Sequence, residues 1–410
     1  MMHRRRRPQN AGEAHARLRR AIAGEPLPLA LIDLDALDRN LETLAATARA
    51  RGKTLRLATK SIRSIAVMKY LLQRGGGVLR GVMAFAAREA ALLVEHGIDD
   101  VLVAYPTLDP HDARAIAETN TRARVSIVVD SEAHLEPLDA AAAAAKTRVP
   151  VIIDADMSYR PFGGALHLGV RRSPLHDADA VVALARSIAR RAHLELAGVM
   201  GYEAQIAGIA DDGDGSQLGN LAKRAIRGAS RHDVSRLRAD IAARLRAEGF
   251  AISIFNGGGT GSLSWSSEED ALTEVTAGSG FLAGHLFDGY RGLSLAPAAM
   301  FALQVVRRPA EGIVTCAGGG YVASGEPATD RLPLPWLPEG LSLTRLEAAG
   351  EVQTPLRVPR GTSIALGDPI FFRHAKSGEL AERFLEYLLV RGERIEARAP
   401  TYRGLGACFG

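Results

Sequence analysis

The sequence predicts an α/β protein, a (β/α)8 TIM barrel followed by a β-rich C-terminal domain. Three observations predict it. Short, nearly all-apolar runs alternate with longer amphipathic ones from about residue 29 to 290. Those short runs lack in–out alternation, as expected for parallel strands covered on both faces. After about residue 290 the alternation stops, and strand-like pieces punctuated by Gly and Pro take over. Repeated strand–helix alternation argues for a barrel, with a doubly wound open sheet as the other solution.

Residues 1–25, with the Arg4–Arg7 block and Arg17, Arg19 and Arg20, read as a basic, frayed and solvated tail. Leu29–Leu34 is a first strand that precedes the barrel count and is available to the second domain's sheet. The barrel strands are then Leu55–Thr59, Gly81–Phe85, Val101–Tyr105, Val125–Val129, Val149–Ile153, Leu196–Met200, Ile252–Phe255 and Thr273–Thr276. Helix-like segments between them include Arg63–Arg74, Ala86–His96, Glu132–Ala145 and Asp177–Ala192; the Ala140–Ala145 tract is a strong helix former. Glu203–Ser216 is rich in Gly and Asp and reads as a loop after the sixth strand. Its Asp211–Gly215 run lacks the spacing of a calcium loop, and Ala222 occupies the place of the closing glutamate. Leu218–Glu248 reads as a basic surface helix. Met300–Val306, Ile313–Cys316, Ser363–Ala365, Ile370–Arg373 and Arg383–Val390 are the strand-like pieces of the second domain. The division implied is a tail over 1–25, a barrel over 26–290 and a β-rich domain over 291–410.

Composition bounds the function. A chain of 410 residues, 47% hydrophobic, suits two domains. Cys316 and Cys408 lie far apart and outside any metal-like spacing, so a reduced, cytoplasmic protein is expected. No apolar run approaches the roughly 18 residues of a membrane span. The start, Met1-Met2-His3-Arg4, lacks the apolar core of a secretory signal. Net charge is +5, arginines interleave with acids, and aromatics make up 5%, so no basic stripe with stacking residues marks a nucleic-acid site.

Catalytic groups of such barrels lie at the C-terminal strand ends. Lys60 ends the first strand there. Asn256-Gly257-Gly258-Gly259-Thr260-Gly261 follows the seventh, and Gly278-Ser279-Gly280 the eighth. Asp154, Asp156 and Arg160 follow the fifth; Tyr202, Glu203 and Gln205 follow the sixth. All converge on one mouth. An amine at one strand end and a glycine loop at another suit pyridoxal phosphate (PLP): the amine condenses with the aldehyde, and loop N–H groups with nearby hydroxyls hold the phosphate. A partly desolvated Lys60 would favour its neutral, nucleophilic form. Each residue has a plainer reading beside this one. Lys60 is then a solvated surface group and the glycines a turn, as at Gly75–Gly77 and Gly318–Gly320. Arg160 is a salt-bridge partner of a neighbouring aspartate, and Tyr202 a core tyrosine. Thr260, Gly278 and Ser279 are what single out the 256–261 loop.

These residues resemble a known family. Leu31-Ile32-Asp33-Leu34-Asp35, Lys60, Asp154 to Arg160, Gly201-Tyr202-Glu203, Asn256–Gly261, and Gly367-Asp368 followed by His374 are similar to fold-type III PLP enzymes, the alanine racemase-like barrels. The likeness is strongest to their D-threonine aldolase and D-serine dehydratase branch, which includes proteins called amino-acid deaminase/aldolase. It spans nearly everything after residue 26. The resemblance implies PLP on Lys60 and phosphate held by Gly258, Gly259, Thr260, Gly278 and Ser279. It also implies Arg160 near the cofactor oxygen; Tyr202, Gln205 and Asn256, at the same mouth, are further candidates for cofactor binding. A head-to-tail homodimer is implied, in which the β domain helps close the partner's site. Two departures stand out. The lysine segment, Ala58-Thr59-Lys60-Ser61-Ile62-Arg63-Ser64, is not His-rich. Where the branch carries a metal pair, His followed two residues on by Cys or Asp, this chain has His374-Ala375-Lys376. A protonated amine is no ligand for a divalent ion, so no metal site is assigned.

The expected function is a PLP-dependent lyase acting on a D-β-hydroxy amino acid, either aldolase-like or dehydratase-like, with Lys60 as proton carrier at Cα. His374 and Lys376 are the candidates for handling the β-oxygen; Lys376 is equally readable as a surface partner of Glu379 or Glu351. One alternative is an amino-acid racemase, for which Tyr321 or Tyr402 would supply the second base. Another is a PLP homeostasis protein without turnover, against which the long C-terminal domain argues.

Overall fold

The computed structural model describes residues 10–208, 217–290, 292–326 and 328–409. The Arg4–Arg7 block and the acidic run at 211–215 lie outside them. The first elements are helix α1 (Ala11–Ala21), strand β1 (Leu29–Asp33) and helix α2 (Leu34–Arg49). Helix α1 stands where a frayed tail was expected. Its Leu18 and Ala21 are buried, and Arg17 pairs with Asp33 at the end of β1, so apolar burial and one ion pair hold it in place.

Eight parallel strands close a barrel in sequence order. They are β2 (Thr54–Ala58), β3 (Leu79–Ala84), β4 (Asp100–Val103), β5 (Arg124–Val129), β6 (Val149–Asp154), β7 (Leu194–Gly201), β8 (Ile254–Gly257) and β9 (Glu274–Ala277). Strand β9 returns to pair with β2, with Val275 opposite Leu55. Each strand matches one predicted run. Val125–Val129 and Val149–Ile153 are buried throughout, which is why they read as unbroken apolar runs. Between strands lie α3 (Ile65–Arg74), α4 (Ala87–Glu95), α5 (Pro110–Thr119), α6 (Glu132–Ala145), α7 (Ala178–Ala189), the single turn α8 (Ala204–Ala207), α9 (Gln217–Ala247) and the short α10 (Leu263–Ser267). Their starts are written locally. Asp109 caps α5 with Pro110 at its first position, Ser131 caps α6 and Asp177 caps α7, each accepting a backbone N–H. Helix α3 begins two residues later than expected, because Arg63 adopts a left-handed φ of 52°.

Beyond the one-turn helix α11 (Ser279–Leu282) come β10 (Ala299–Ala310), β11 (Ile313–Ala317), β12 (Leu334–Leu337), β13 (Ser342–Leu343), β14 (Gln353–Arg357), β15 (Pro369–Arg373), β16 (Glu386–Arg391) and β17 (Arg394–Pro400). With β1 they form a nine-stranded sheet ordered β13-β14-β11-β10-β1-β16-β17, in which β15 also pairs with β10 and β12 with β15. Leu31 of β1 faces Met300 antiparallel and Leu388 parallel. So the first strand belongs to this sheet and not to the barrel. Its core includes Leu18, Leu29, Leu31, Met300, Phe371 and Leu388. Ser363–Ala365, expected as a strand, is irregular; β12, β13, β14 and β17 carry too much Pro and polar sequence to have stood out.

The chain divides into two compact units. One gathers the chain up to Thr43, Ser61–Val67 and Ser279–Cys408. The other gathers Leu44–Lys60, Met68–Gly278 and the end from Phe409. No helix among the described residues is long and apolar enough to cross a membrane.

Candidate active site

In the barrel unit Lys60 follows β2 on a short 3-10 turn, Thr59–Ser61. The side chain is exposed, not partly desolvated as expected. Its Nζ donates to Tyr105 Oη at 3.3 Å. Tyr105 lies just past β4 and is half-buried. Burial pushes its phenol up, but Lys60 and Arg172 outweigh that, and the net shift is downward. The Arg172 guanidinium sits over two rings, 5.4 Å from the centre of Tyr105 and 5.9 Å from that of Tyr202. Lys60, Tyr105, Arg172 and Tyr202 thus form one continuous group at the C-terminal strand ends.

Carboxylates line the loop after β5 and β6. Asp154 is buried, and its carboxyl is pushed up to about 7, by burial first and by Asp130 and Asp156 after it, against the pull of Arg172. Asp156 accepts from the Ser158 backbone N–H at 3.0 Å and from the Ser158 hydroxyl at 2.6 Å. It also pairs with Arg160 at 2.5 Å. Arg160 holds the neighbouring aspartate through Nη2, and its side chain is one-third exposed.

The glycine loop after β8 differs from expectation in one respect. Gly258 and Gly259 do not offer open amides. Gly258 N donates to Glu203 Oε2 at 3.1 Å, and Gly259 N to Ser262 Oγ at 3.0 Å. Gly259 is needed for space, since a Cβ there would lie 3.0 Å from Ala207 Cβ and 3.1 Å from Tyr202 Cε2. Asn256 donates its amide to Glu274 at 2.7 Å and Thr276 at 2.8 Å. Gln205 donates to the Met157 carbonyl at 2.5 Å and to Ser230 at 2.9 Å. Both amide nitrogens are spent inside the protein, so these residues brace the mouth and do not present those donors to a ligand. Thr260 is buried within the same loop.

In the other unit Ser279 Oγ lies 3.0 Å from Ser61 Oγ, and the Ser279 carbonyl accepts from Ser377. Ser279 follows Gly278 directly, just past β9.

The model of the alanine racemase N-terminal domain family matches residues 32–283. The chain belongs to this family. It is 28% identical over 253 residues to the 3-hydroxy-D-aspartate aldolase of Paracoccus denitrificans, covering 62% of this chain and 59% of that protein. It thus spans about three fifths of the length of that curated relative. Two solved structures share the fold. The D-threonine aldolase of Filomicrobium marinum superposes with a TM-score of 0.78 at 22% identity, over 93% of this chain and 96% of that one. The D-threo-3-hydroxyaspartate dehydratase of Delftia sp. HT23 gives 0.70 at 19% identity, over 93% and 98%.

This member of the alanine racemase N-terminal domain family holds His374 almost fully buried, its Nδ1–H donating to the Lys376 carbonyl. Burial lowers the imidazole pKa and favours the neutral ring. Lys376 Nζ donates to Ser324 Oγ at 3.3 Å. Among the described residues no group of three or more His, Cys, Asp and Glu side chains is arranged so that it could hold a metal ion. One buried imidazole beside an ammonium does not fit a divalent ion. Of the two tyrosines weighed as a second base, Tyr402 is buried and Tyr321 packs edge-on against Phe301 and Phe384.

Sequence reading passed over Tyr105, Arg172 and Arg238. Tyr105 closes a predicted strand on the functional rim, which was a usable signal. Arg172 lies in an irregular segment and Arg238 in the middle of a basic helix, where periodicity carries no sign of function.

Proposed function

We propose that this chain is a PLP-dependent lyase acting on a D-configured β-hydroxy amino acid, with Lys60 as the amine that carries the cofactor. One observation carries the reading: the Lys60 amine stands at the end of β2 among Tyr105, Arg172 and Tyr202, in a barrel of the alanine racemase N-terminal domain family. The barrel unit's donor set suits a phosphate-bearing aldehyde, with a primary amine, a guanidinium over two aromatic rings and the Thr260 hydroxyl. When bound, PLP would draw electrons from Cα so that one of its bonds can break.

The chain's own residues do the rest. Lys60 would hold the cofactor through its amine and would carry the proton to and from Cα. Arg172 would meet the substrate carboxylate or the cofactor's phenolic oxygen, alongside Arg160, whose Nη2 holds Asp156. Tyr202 packs beside the ring. Thr260, Gly278 and Ser279 receive the phosphate. Neutral His374 and the Lys376 ammonium handle the β-hydroxyl, the ammonium supplying by charge what a metal would otherwise supply. Cleavage of Cα–Cβ would yield glycine and an aldehyde; loss of the Cα proton and the β-hydroxyl as water, followed by hydrolysis of the resulting enamine, would yield a 2-oxo acid and ammonia. The named relatives include both aldolase and dehydratase, and the aldolase outcome is our first choice.

The test is the visible spectrum of the PLP-loaded protein, titrated with D- and L-threonine and with 3-hydroxy-D-aspartate under metal-free conditions. A band absent from Lys60→Ala, perturbed by D-isomers alone with aldehyde release, is the expected result. A protein that takes up no PLP overturns the reading. A band that no β-hydroxy substrate perturbs removes the lyase and turns attention to racemisation.

A further inference from the structure

Beneath the glycine loop lies the most deeply buried ion pair among the described residues. Glu203 and Arg238 are both 0% exposed. Glu203 follows β7, and Arg238 sits in the middle of α9. Every polar bond around them leads to the loop or its supports. Glu203 Oε2 accepts from Arg238 and from Gly258 N, while Oε1 accepts from Ser262 Oγ at 2.6 Å and Ser266 Oγ at 2.7 Å. Ser262 Oγ in turn accepts from Gly259 N at 3.0 Å. Arg238 donates to the Gly201 carbonyl at 2.6 Å and to Glu269 at 2.6 Å. A Cβ on Gly257 would fall 2.7 Å from Arg238 Nη2, so a side chain there would have to displace the guanidinium. About three turns earlier in α9, Arg227 donates to the Gly261 carbonyl at 2.8 Å. Burial pushes the Glu203 carboxyl up, but Arg238 and the two serine hydroxyls outweigh it, and the net shift is downward, toward the ionised form.

We propose that Glu203 and Arg238 are positioning residues for phosphate binding, holding the 257–261 loop in its receiving conformation from behind. This rests on the reading that the loop takes the cofactor's phosphate. The physical reason is acceptor saturation. A carboxylate offers two oxygens that only accept, and here it meets three classes of donor at once: an amide, two hydroxyls and a guanidinium. The Gly258 amide is engaged directly and the Gly259 amide through Ser262, so the turn carrying Thr260 is fixed by a group that never touches the ligand. Arg238 is what allows an anion there. It offsets a buried negative charge that would otherwise repel the phosphate dianion. A glutamine at 203 turns one acceptor into a donor, which collides with the Gly258 amide or the serine hydroxyls and leaves Arg238 with Glu269 as its remaining carboxylate partner.

The experiment compares PLP with pyridoxal, which has the same aldehyde and no phosphate, by equilibrium titration of wild type, Glu203→Gln and Ser262→Ala. Folding is followed by circular dichroism. Wild type should prefer PLP. Glu203→Gln should lose about tenfold in PLP affinity and Ser262→Ala several-fold, with pyridoxal affinity changed by less than about twofold in both. If folded variants lose both ligands equally, or keep the wild-type preference, the positioning role is wrong and the pair only supports the barrel. If Glu203→Gln does not fold, Ser262→Ala decides by the same ratio. If wild type binds both ligands equally, the loop does not take phosphate, and that failure overturns the underlying reading and this inference with it.

Discussion

Two buried arginines in the barrel unit do opposite jobs with the same chemistry. Arg56 lies in β2 and holds Glu274 with two bonds, Nε at 2.7 Å and Nη2 at 3.0 Å. It also reaches Asp100 at 2.8 Å and the Val82 carbonyl at 3.2 Å. Glu274 and Asp100 are the first residues of β9 and β4, so this cluster ties strand beginnings together. Burial disfavours the Arg56 charge, yet Glu274 and Asp100 raise its pKa overall. Arg238 works at the other end, where β7 and β8 finish, and its bonds lead to a loop. In barrels of this architecture the strand beginnings carry stability and the strand ends carry chemistry. The comparison teaches that a buried ion pair is defined by what its hydrogen bonds restrain, not by its burial.

The largest expected effect belongs to the structural end. Arg56→Met leaves Glu274 buried beside no guanidinium and should cost about 3–5 kcal/mol in urea denaturation, while the PLP-over-pyridoxal preference stays within about twofold of wild type. A fall in that preference like the one expected for Glu203→Gln would erase the distinction between the two ends.

Asp154 sharpens the comparison, being a buried carboxyl in mixed surroundings: Asp130 and Asp156 repel, Arg172 attracts. Its carboxyl stands at about 7 in the folded protein, against roughly 3.9 in an unfolded chain. Between those values the folded state keeps a proton that the unfolded state has lost, so stability falls as pH rises through that window and levels off above it. Asp154→Asn removes the titration. Its stability relative to wild type should therefore rise from pH 4 to pH 8, by on the order of 1–4 kcal/mol, in denaturation curves at the two values. A difference independent of pH would mean that Asp154 titrates in the fold as it does in the unfolded chain.

The smallest effect is expected at the exposed amine. Tyr105→Phe removes the hydroxyl that accepts from Lys60 at 3.3 Å and keeps the ring under Arg172. PLP affinity should change by about two- to threefold, since a long bond to an exposed ammonium is worth little. A loss of tenfold or more would make the hydroxyl part of the binding machinery and not a neighbour of it.

The sequence by itself determined the barrel strands, because parallel strands covered on both faces must be apolar along their whole length, and Val125–Val129 or Val149–Ile153 can hardly be anything else. The caps at Asp109, Ser131 and Asp177 are local too, since each acts within one turn of chain, although the structure is what displays them. The sequence also pointed to Lys60 and the glycine loop, since strand ends define a common rim. Only the tertiary structure decided which groups the loop's amides serve, because Glu203 meets Gly258 across 55 positions and Arg238 meets Glu203 across 35. The same is true of β1. Its five residues suit either sheet, and partners near residues 300 and 388 set its place. Apolar periodicity records what a segment buries. It does not record which distant donor a buried acceptor will find, and that pairing is what shapes the mouth of this barrel.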